Sequence, residues 1–358
     1  MRFIFKTSYD QDIRLFRHGG QSFWYGLLVA GLVAAPAVVS EYYLSQLTFI
    51  CMYGMVGVGL MLLTGYTGQV SLGHAAFLAV GAYTEAVLQA QGVPFGLSLV
   101  AAGLLAGLAG IVIGLPALRL TGIYLVIATM AFGFIVQEVL TRWESVTRGN
   151  LGMTLRSIEL FGIRLNEEWK LYYLALGLLA LVVLGVLNLL RAPTGRAFVA
   201  IRDSEISAQS MGIHLARYKT VAFALSAAIT GLAGALYAHK LQFISPEQFG
   251  LILSIELAMM IFIGGIGSLH GAIYGAIFLI ALPQLIAVAK DYLPAAVGHQ
   301  TGLEPTVFGL ILVGFILFEP LGLYGRWVKT RTFFQLFPFF RRGMFRRQKA
   351  FMKSERLR

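Results

Sequence analysis

The chain has 358 residues, of which 58% are apolar and 13% are charged. Soluble domains are about 45–50% apolar and about 25% charged, so this composition excludes a soluble globule and predicts a polytopic membrane protein. The net charge of +11 does not indicate nucleic acid as a partner, because the basic residues cluster at the chain ends and in one central segment. Membrane topology and anionic lipid headgroups explain that distribution.

Apolar runs of spanning length follow one another along most of the chain. Since a transmembrane helix needs about 20 mostly apolar residues, the sequence predicts an all-α bundle of about ten transmembrane helices within residues 23–325. A cytoplasmic segment, 1–22, precedes the bundle, and a basic, aromatic cytoplasmic tail, 326–358, follows it. The predicted spans are Phe23–Val39, Tyr42–Leu63, Ser71–Gln89, Phe95–Leu118, Thr121–Leu140, Leu171–Leu190, Thr220–Leu241, Ser254–Gly267, Gly271–Ala289 and Thr306–Tyr324.

The topology follows from the positions of the lysines and arginines. With the N-terminus inside, 21 of the 28 basic residues fall on the cytoplasmic side, among them Arg119. The positive-inside rule requires this bias. We therefore predict that both termini are cytoplasmic.

Two glycine-rich, polar stretches interrupt the apolar spans: the first break, Gly65–His74, and the second break, Gly264–Gly271. Irregular backbone at membrane depth is tolerated only against protein or a water-filled cavity. Broken helices at corresponding places in two halves point to a transport pathway, although the short echo between the two breaks does not establish an internal repeat. We predict a solute route along Gln69, Ser71, His74, Ser268 and His270.

Three carboxylates fall inside or near predicted spans: Glu85, Glu138 and Glu256. A carboxylate there is costly and is a functional candidate, and the alternative is a structural carboxylate bonded to another helix. We expect Glu85 and Glu256 to support the solute route. Gly81 lies on the face that His74 and Glu85 share, where it opens space for a neighbour or a solute.

The sequence contains no motif for catalysis or for metal binding. No P-loop pattern occurs, so the chain itself is not expected to bind ATP. No HExxH or CxxC pattern predicts a metal site, and no nucleophile-elbow motif predicts a hydrolase. These observations favour a transporter over an enzyme.

The longest outer loop runs from Trp143 to Trp169. It contains the turn Thr147-Arg-Gly-Asn-Leu-Gly152, which is rich in backbone donors. We predict a partly ordered segment at the outer mouth, with Thr147 and Asn150 as its candidate site residues.

The central segment, Arg191–Lys219, is short, basic and polar, and it lies between two long apolar runs. Pro193 and Gly195 are expected to stop the preceding helix. Asp203 or Ser204 is a good N-cap and Gly212 a good C-terminal stop, which predicts a helix of about two turns on the membrane surface. The segment is either a solvated loop that sets topology or a docking helix for a cytoplasmic partner.

Three motifs carry a family resemblance over roughly Tyr42 to Tyr324. They are TGYTGQVSLGHAAFLAVGAY from Thr64, PTGRA from Pro193 with IRDSEISA from Ile201 through Gly212 and RYK from Arg217, and IGGIGSLHG from Ile263. In this order they resemble the permease family of branched-chain amino acid ABC importers, in particular its M-type, LivM-like branch.

The resemblance implies a type II ABC importer-like permease in the bacterial inner membrane. It implies a second, LivH-like permease, two ABC ATPase subunits that bind ATP and Mg²⁺, and a periplasmic solute-binding protein, with no cofactor on this chain. The family's coupling motif matches Glu205, Ala208 and Gly212, so the resemblance implies that the central segment contains a coupling helix and its flanking residues. The expected coupling residues are Arg196, Arg202, Asp203, Glu205, Ala208, Gly212, Arg217 and Lys219.

The solute is left open by the resemblance. Ser204 and Ser207 stand where relatives often have Asn and Ala, and Arg148 stands where they often have Gly. Relatives also carry urea, short amides and aromatic acids. A rival of another class is a stand-alone channel or proton-coupled carrier that uses Glu85 and Glu256 as relay groups. A scaffold for a membrane enzyme has no motif in its favour.

Overall fold

The computed structural model describes residues 19–117, 120, 122–160, 163–290, 303–319 and 322–336. The expectations for residues 1–18, for Arg119 and for the tail beyond residue 336 lie outside the described residues. The long helices are α1 (Gly19–Val38), α2 (Glu41–Leu60), α3 (His74–Ala90), α4 (Phe95–Ala117), α5 (Ile123–Arg142), and, after a short α6 (Glu144–Thr147), α7 (Glu168–Arg191). Those that follow are α8 (Pro193–Asp203), the short α9 (Glu205–Ser210), α10 (Leu215–Leu241), α11 (Leu251–Gly264), α12 (Leu269–Lys290), α13 (Leu303–Phe318) and α14 (Gly322–Leu336).

Seven stretches among the described residues, rather than ten, are long and apolar enough to cross a bilayer. Helix α3 begins at His74, three residues after its predicted start, and has 17 residues. The apolar parts of α1 and α13 are also shorter, Ser22–Val38 and Thr306–Phe315. The helical membrane bundle is therefore confirmed, while the number ten is not.

Helix α10 lies at the centre of the bundle and packs against α3, α4 and α2. Glycines four residues apart on α4 admit the α10 backbone: a Cβ added at Gly110 would lie 2.7 Å from the Phe223 carbonyl oxygen. The same holds at Gly231 of α10, where a Cβ would lie 2.4 Å from the Ala106 Cβ. Small residues at helix interfaces let backbones approach closely in lipid.

Both breaks are irregular, as predicted, but their edges differ from the sequence expectation. After α2 the chain forms a π-helical turn, Met61–Tyr66, and an irregular segment to Gly73. Helix α11 ends at Gly264, because Gly265 and Gly267 have φ of 112° and 85°, a conformation that ends a helix and favours glycine. Helix α12 then begins at Leu269, two residues before its predicted start.

The described residues are mostly helical, as predicted, with four two-residue strands that the sequence did not predict. The outer loop contains β1 (Met153–Thr154), β2 (Glu159–Leu160) and β3 (Ile163–Arg164), and β4 is Phe243–Ile244. Strand β1 pairs antiparallel with β4, and β2 with β3. Two-residue strands give no alternating pattern that a sequence could show, and β1 and β4 are about 90 residues apart in the chain.

The loop expected after α7 is a helix. Helix α7 ends at Arg191, one residue after the predicted end at Leu190, and Pro193 opens α8 instead of starting a loop. Proline suits the first helical position because its missing N–H would have no partner there. Gly195 is required by the tight corner, since a Cβ there would lie 2.4 Å from Leu190 Cα.

Candidate functional site

Helix α9 is held at both ends by local hydrogen bonds. Ser204 has extended backbone, and its hydroxyl accepts from the Ser207 N–H at 3.3 Å. At the other end Gly212 has φ of 83°, and the Ile213 N–H donates to the Ala208 carbonyl at 3.0 Å. The N-cap and the C-terminal stop that the sequence predicted are therefore present in the structure.

An ion pair joins α9 to the central helix α10. The Lys219 ammonium lies 2.7 Å from a Glu205 carboxylate oxygen, and the Lys219 side chain is 3% exposed. Leaving a buried cation without its partner strongly destabilises the folded protein, so this pair constrains where α9 can lie. Ala208 is buried as well, which leaves its small side chain facing the bundle.

Arg202, at the end of α8, connects the central segment with both breaks. Its guanidinium donates to the Gly65 carbonyl at 3.1 Å and to the Asp203 carboxylate at 3.1 and 3.2 Å. A Cβ added at Gly68 would lie 3.2 Å from Arg202 Cγ, and one at Gly267 3.4 Å from its Nη1. The two breaks also approach each other here, because a Cβ added at Gly65 would lie 2.9 Å from the Gly267 nitrogen.

The surface of α9 that is not packed against the bundle exposes large apolar side chains. Ile206 is 81% exposed and Met211 85% exposed, although both lie outside the seven candidate spans. Exposed basic residues flank them. Arg217 is exposed near the start of α10, and Arg196, also exposed, donates to the Arg191 carbonyl at 3.2 Å. An apolar patch bordered by charge is typical of a protein interaction site.

The first break contains a buried chain of polar groups. His74 is fully buried, with Nδ1 3.0 Å from the Ser71 hydroxyl and Nε2 2.8 Å from the Ser226 hydroxyl of α10. The Ser254 hydroxyl of α11 accepts from the Ala75 N–H at 3.2 Å. Helices α3, α10 and α11 are thus linked through the start of α3.

Gln69 is an exception among these polar groups. Its side chain is 3% exposed, yet neither the amide nitrogen nor the amide oxygen has a hydrogen-bond partner among the described residues. Its main chain is well fixed, because the Gln69 N–H donates to the Leu63 carbonyl at 3.1 Å and its carbonyl accepts from the Thr64 hydroxyl at 3.1 Å. A buried unpaired amide costs about 1–3 kcal/mol, so such a group calls for a partner.

The two histidines of the predicted solute route lie in different surroundings. Ser268 is buried and caps the start of α12 by accepting from the Gly271 N–H at 3.3 Å. His270 is exposed; its Nε2 lies 2.6 Å from the Tyr25 hydroxyl, and its ring stacks on Tyr324 at 5.9 Å. His270 therefore joins α12 to α1 and α14, away from the partners of His74.

Glu85 belongs to a buried cluster beneath the outer loop. One carboxylate oxygen lies 2.9 Å from His239 Nε2 and accepts from the Ser98 hydroxyl at 2.8 Å, while the other oxygen has no partner in the described part of the chain. His239 Nδ1 lies 3.2 Å from the Arg156 carbonyl, and the Gln89 side chain bonds both the N–H and the carbonyl of Arg156. These bonds tie the outer loop to α3 and α10.

Glu256 and Glu138 are more accessible than Glu85. Glu256, on α11, is half-buried and close enough to Tyr53 and Tyr237 to interact with them electrostatically. Glu138 forms an ion pair with Arg142 on the open face of α5. Gly81, the glycine between His74 and Glu85, admits a neighbouring backbone: a Cβ there would lie 2.1 Å from the Gly231 carbonyl oxygen.

The outer-loop residues differ in accessibility. Thr147 is buried, and its hydroxyl donates to the Leu140 carbonyl at 2.6 Å and accepts from the Gly149 N–H at 3.2 Å. Asn150 is exposed. The turn is shaped by Arg148 and Gly149, which both have φ between 55° and 60°.

Sequence reasoning missed His239, Ser98 and Ser226, which complete these buried clusters. Histidine and hydroxyl side chains inside apolar runs were the available signal, but their partners lie 13 to 154 residues away. Among the described residues there is no group of three or more His, Cys, Asp or Glu side chains that could hold a metal ion.

Comparison with known proteins gives consistent results. The family model for the branched-chain amino acid transport system permease component matches residues 42–318. The LivM permease of the high-affinity branched-chain amino acid transport system of Escherichia coli K12 is 36% identical over 83% of this chain and 74% of its own length. Its counterpart from Salmonella typhimurium is 36% identical over 81% and 72%. The autoinducer 2 import permease LsrC of Escherichia coli is 27% identical over 82% and 85%.

Proposed function

The chain belongs to the permease family of branched-chain amino acid transport systems, and we propose that it is the permease subunit of an ATP-driven importer of branched-chain or related amino acids. In this proposal two partner ATPase subunits bind ATP and Mg²⁺, and this chain binds no cofactor. A second, LivH-like permease completes the membrane part, and a periplasmic solute-binding protein delivers the solute. The assembly lies in the bacterial inner membrane with both termini of this chain in the cytoplasm.

The observation that carries the proposal is the exposed apolar patch on α9. Ile206 and Met211 are among the most exposed large apolar side chains of the described residues, and burying such a side chain is worth about 1.5–3 kcal/mol. A soluble partner that covers both would gain several kcal/mol from this patch alone. We propose that the partner is the ATPase subunit.

The ion pairs around α9 supply a route for the motion. When the ATPase moves α9, the Lys219 to Glu205 pair at 2.7 Å carries the displacement to the start of α10, the central helix. Arg202 carries it to the Gly65 carbonyl at the end of the π-helical turn. Because the backbone at both breaks lacks a continuous helical ladder, we expect these segments to move at a lower cost than an intact helix.

The buried polar groups of the first break suit the solute. A free amino acid at neutral pH is a zwitterion with little net charge, and an amide offers it both a donor and an acceptor. Gln69 is the strongest candidate, since its unpaired amide lacks both partners in this conformation. Ser71 and His74 already bond each other, so we assign them to positioning the break.

The test is uptake by the reconstituted assembly. The chain should copurify with an ATPase, and proteoliposomes should accumulate L-leucine when ATP is supplied on the ATPase side. Vanadate should stop that uptake. Accumulation that needs no ATPase and ignores vanadate would instead identify a channel or proton-coupled carrier that works through Glu85 and Glu256.

A second candidate solute comes from the relatives. The similarity to autoinducer 2 import permeases covers as much of this chain as the similarity to LivM, at 27% against 36% identity. The higher identity favours amino acids. The solute retained by the cognate binding protein, measured by mass spectrometry of the purified binding protein, distinguishes the two.

A further inference from the structure

Helices α12 and α13 are in contact at one point and separated by a groove farther along. The rings of Phe278 and Phe315 meet there, with their centroids 5.2 Å apart. Beyond this contact, toward the end of α12 at Lys290, the groove is lined by Val307 and Ile311 of α13 together with α12 side chains. The two helices therefore run antiparallel and enclose the groove between them.

The α12 wall of this groove is one continuous helix face. The lining residues from α12 follow one another at spacings of three and four, which is the pattern of a single face. They include Leu282, Leu285, Ile286 and Lys290. Leu282 and Ile286 are buried and form the floor, whereas Leu285 is 65% exposed at the rim. Lys290 is the one charged residue of the lining.

The size of the groove suits a hydrocarbon chain. Its volume is about 270 Å³. An apolar cavity of about 150 Å³ stays dry and holds a benzene molecule, so scaling by volume gives this groove room for about ten carbon atoms of an unbranched chain. Water is a poor occupant, because the apolar walls offer it few hydrogen-bond partners.

The groove lies at membrane depth. Helix α12 is one of the seven candidate spans, and Thr306–Phe315 of α13 is a shorter apolar helix. Lys290 is the last residue of α12, so its side chain lies where the span ends and can reach the headgroup region. The groove thus has an apolar body in the hydrocarbon layer and a cationic end at its boundary.

We propose that the groove between α12 and α13 binds one anionic phospholipid, with an acyl chain along the apolar floor and the phosphate on Lys290. The site goes beyond the proposed function, because its ligand is a membrane lipid rather than the transported solute.

The first reason is that an empty groove is unfavourable in a bilayer. Side chains that line a gap lose the dispersion contacts that a filled space would give them. The groove opens to hydrocarbon beside the exposed Leu285, and an acyl chain is the flexible apolar molecule that a bilayer supplies there. An acyl chain therefore restores the contacts of Leu282 and Ile286 without any movement of the helices.

The second reason is the position of the charge. Lys290 lies four residues after Ile286 and eight after Leu282, on the same face of α12 as the floor. Its ammonium has three N–H donors and can bond a phosphate beside any other partner. Basic pockets between membrane helices bind lipid headgroups. A chain that lies on the floor therefore brings its phosphate to the end of the groove where Lys290 lies.

The third reason is the attachment of α13. Helix α13 packs on α12 and α11. Its Leu312 is buried, but Leu310 is 67% exposed, Val313 52% and Leu317 71%. A lipid chain between the two helices covers the inner face of α13 as well, and so it holds α13 against α12.

The test uses the complete permease and ATPase assembly in phosphatidylcholine nanodiscs. These contain a small fraction of phosphatidylglycerol whose acyl chain carries a photoreactive diazirine. After illumination, mass spectrometry should find the label on residues 282–290 and 306–311. That labelling should saturate as the fraction of photoreactive lipid rises. Labelling around Leu181 of α7, which is 67% exposed, should rise in proportion, as unspecific contact with lipid does.

Two variants separate the apolar body from the charged end. Ile311→Trp fills the groove and should lower its labelling to the level found around Leu181. Lys290→Gln keeps the apolar walls and should lower the preference for phosphatidylglycerol over phosphatidylcholine about fivefold, the effect of one lysine near a charged membrane surface. The matched control, Leu181→Trp, adds the same bulk on α7 and should leave labelling of the groove unchanged.

Hydrogen exchange provides a readout that does not depend on the probe. Exchange across residues 306–315 should be slower in phosphatidylglycerol nanodiscs than in phosphatidylcholine nanodiscs, and Lys290→Gln should remove this difference. If Ile311→Trp does not assemble, the saturation curve of the wild type and the Lys290→Gln result decide the question.

Three results would overturn the inference. The first is labelling of the groove that rises in proportion, as on α7. The second is equal labelling by the two lipids in wild type. The third is labelling of the isolated chain that disappears in the complete assembly, which would show that a protein subunit covers the groove.

Discussion

Replacing Gly81 by alanine tests the close packing of α3 on the central helix. A Cβ at this position would lie 2.1 Å from the Gly231 carbonyl oxygen and 2.5 Å from Gly231 Cα, where ordinary contacts begin at 3.4 Å. Both obstacles are backbone atoms, so no side-chain rotation relieves the clash. The two helices must separate, and the polar contacts at both ends of α3 must stretch with them.

The magnitude follows from two opposing effects. Overpacking a well-packed interior costs about 1–3 kcal/mol. Here we expect a cost at the upper end of that range, because the atoms in the way belong to the backbone. Exchanging glycine for alanine inside a helix returns about 0.8–1 kcal/mol of helix propensity. We therefore expect Gly81→Ala to lower the free energy of unfolding by about 1–2 kcal/mol.

The matched control is Gly177→Ala in α7, where a Cβ meets nothing within 4 Å. This variant keeps the propensity gain without the clash, so it should be as stable as wild type or more stable. The assay is the denaturation midpoint of the detergent-purified assembly, followed by size-exclusion chromatography. A Gly81→Ala protein that is as stable and as active as Gly177→Ala would refute the packing described for α3.

Three further predictions concern the ion pairs and the unpaired amide. Lys219→Glu and Glu205→Lys should each abolish uptake, whereas the double exchange should recover part of it, since residues in contact have interaction energies of about 0.5–3 kcal/mol. A double variant that transports no better than either single variant would contradict coupling through this contact. Gln69→Leu should leave the stability of the protein unchanged or raise it, because it removes an unpaired amide. It should lower uptake by about tenfold, the effect of one lost hydrogen bond to the solute. Unchanged uptake would exclude Gln69 from the solute route. His239→Ala should destabilise the protein by about 1–3 kcal/mol, because it removes one of the two hydrogen-bond partners of the buried Glu85 carboxylate and leaves only the Ser98 hydroxyl. A thermal midpoint equal to that of wild type would show that the contact between Glu85 and His239 is not formed.

Local features were predictable from the sequence because their causes are local. Ser204 begins α9 and Gly212 ends it through hydrogen bonds within the segment itself. The glycines of both breaks are visible in the sequence as interruptions of apolar runs. Helix α7 ends before Pro193, as expected, and Pro193 also begins α8, because one residue type serves both purposes. The sequence alone does not show that a second helix follows at once.

Contacts between distant residues were not predictable. The Lys219 to Glu205 pair needs the bend at Gly212, and the Glu85 to His239 pair joins helices 154 residues apart. The link from Arg202 to the Gly65 carbonyl depends on a π-helical turn, which leaves no periodic signal in the sequence. The contacts of Lys219 and Arg202 are those through which the proposed coupling works.

The central claim is that the ATPase binds α9 on the inner side of the membrane, and a single crosslink tests this claim most directly. Gln209 is exposed on α9, and Cys51, the chain's one cysteine, can be replaced by alanine. In that background Gln209→Cys should crosslink to a cysteine placed in a surface groove of the ATPase, whereas Asn150→Cys in the outer loop should not. Failure of every position from Glu205 to Gly212 to crosslink, or labelling of Gln209→Cys by an impermeant thiol reagent from outside intact cells, would contradict the account.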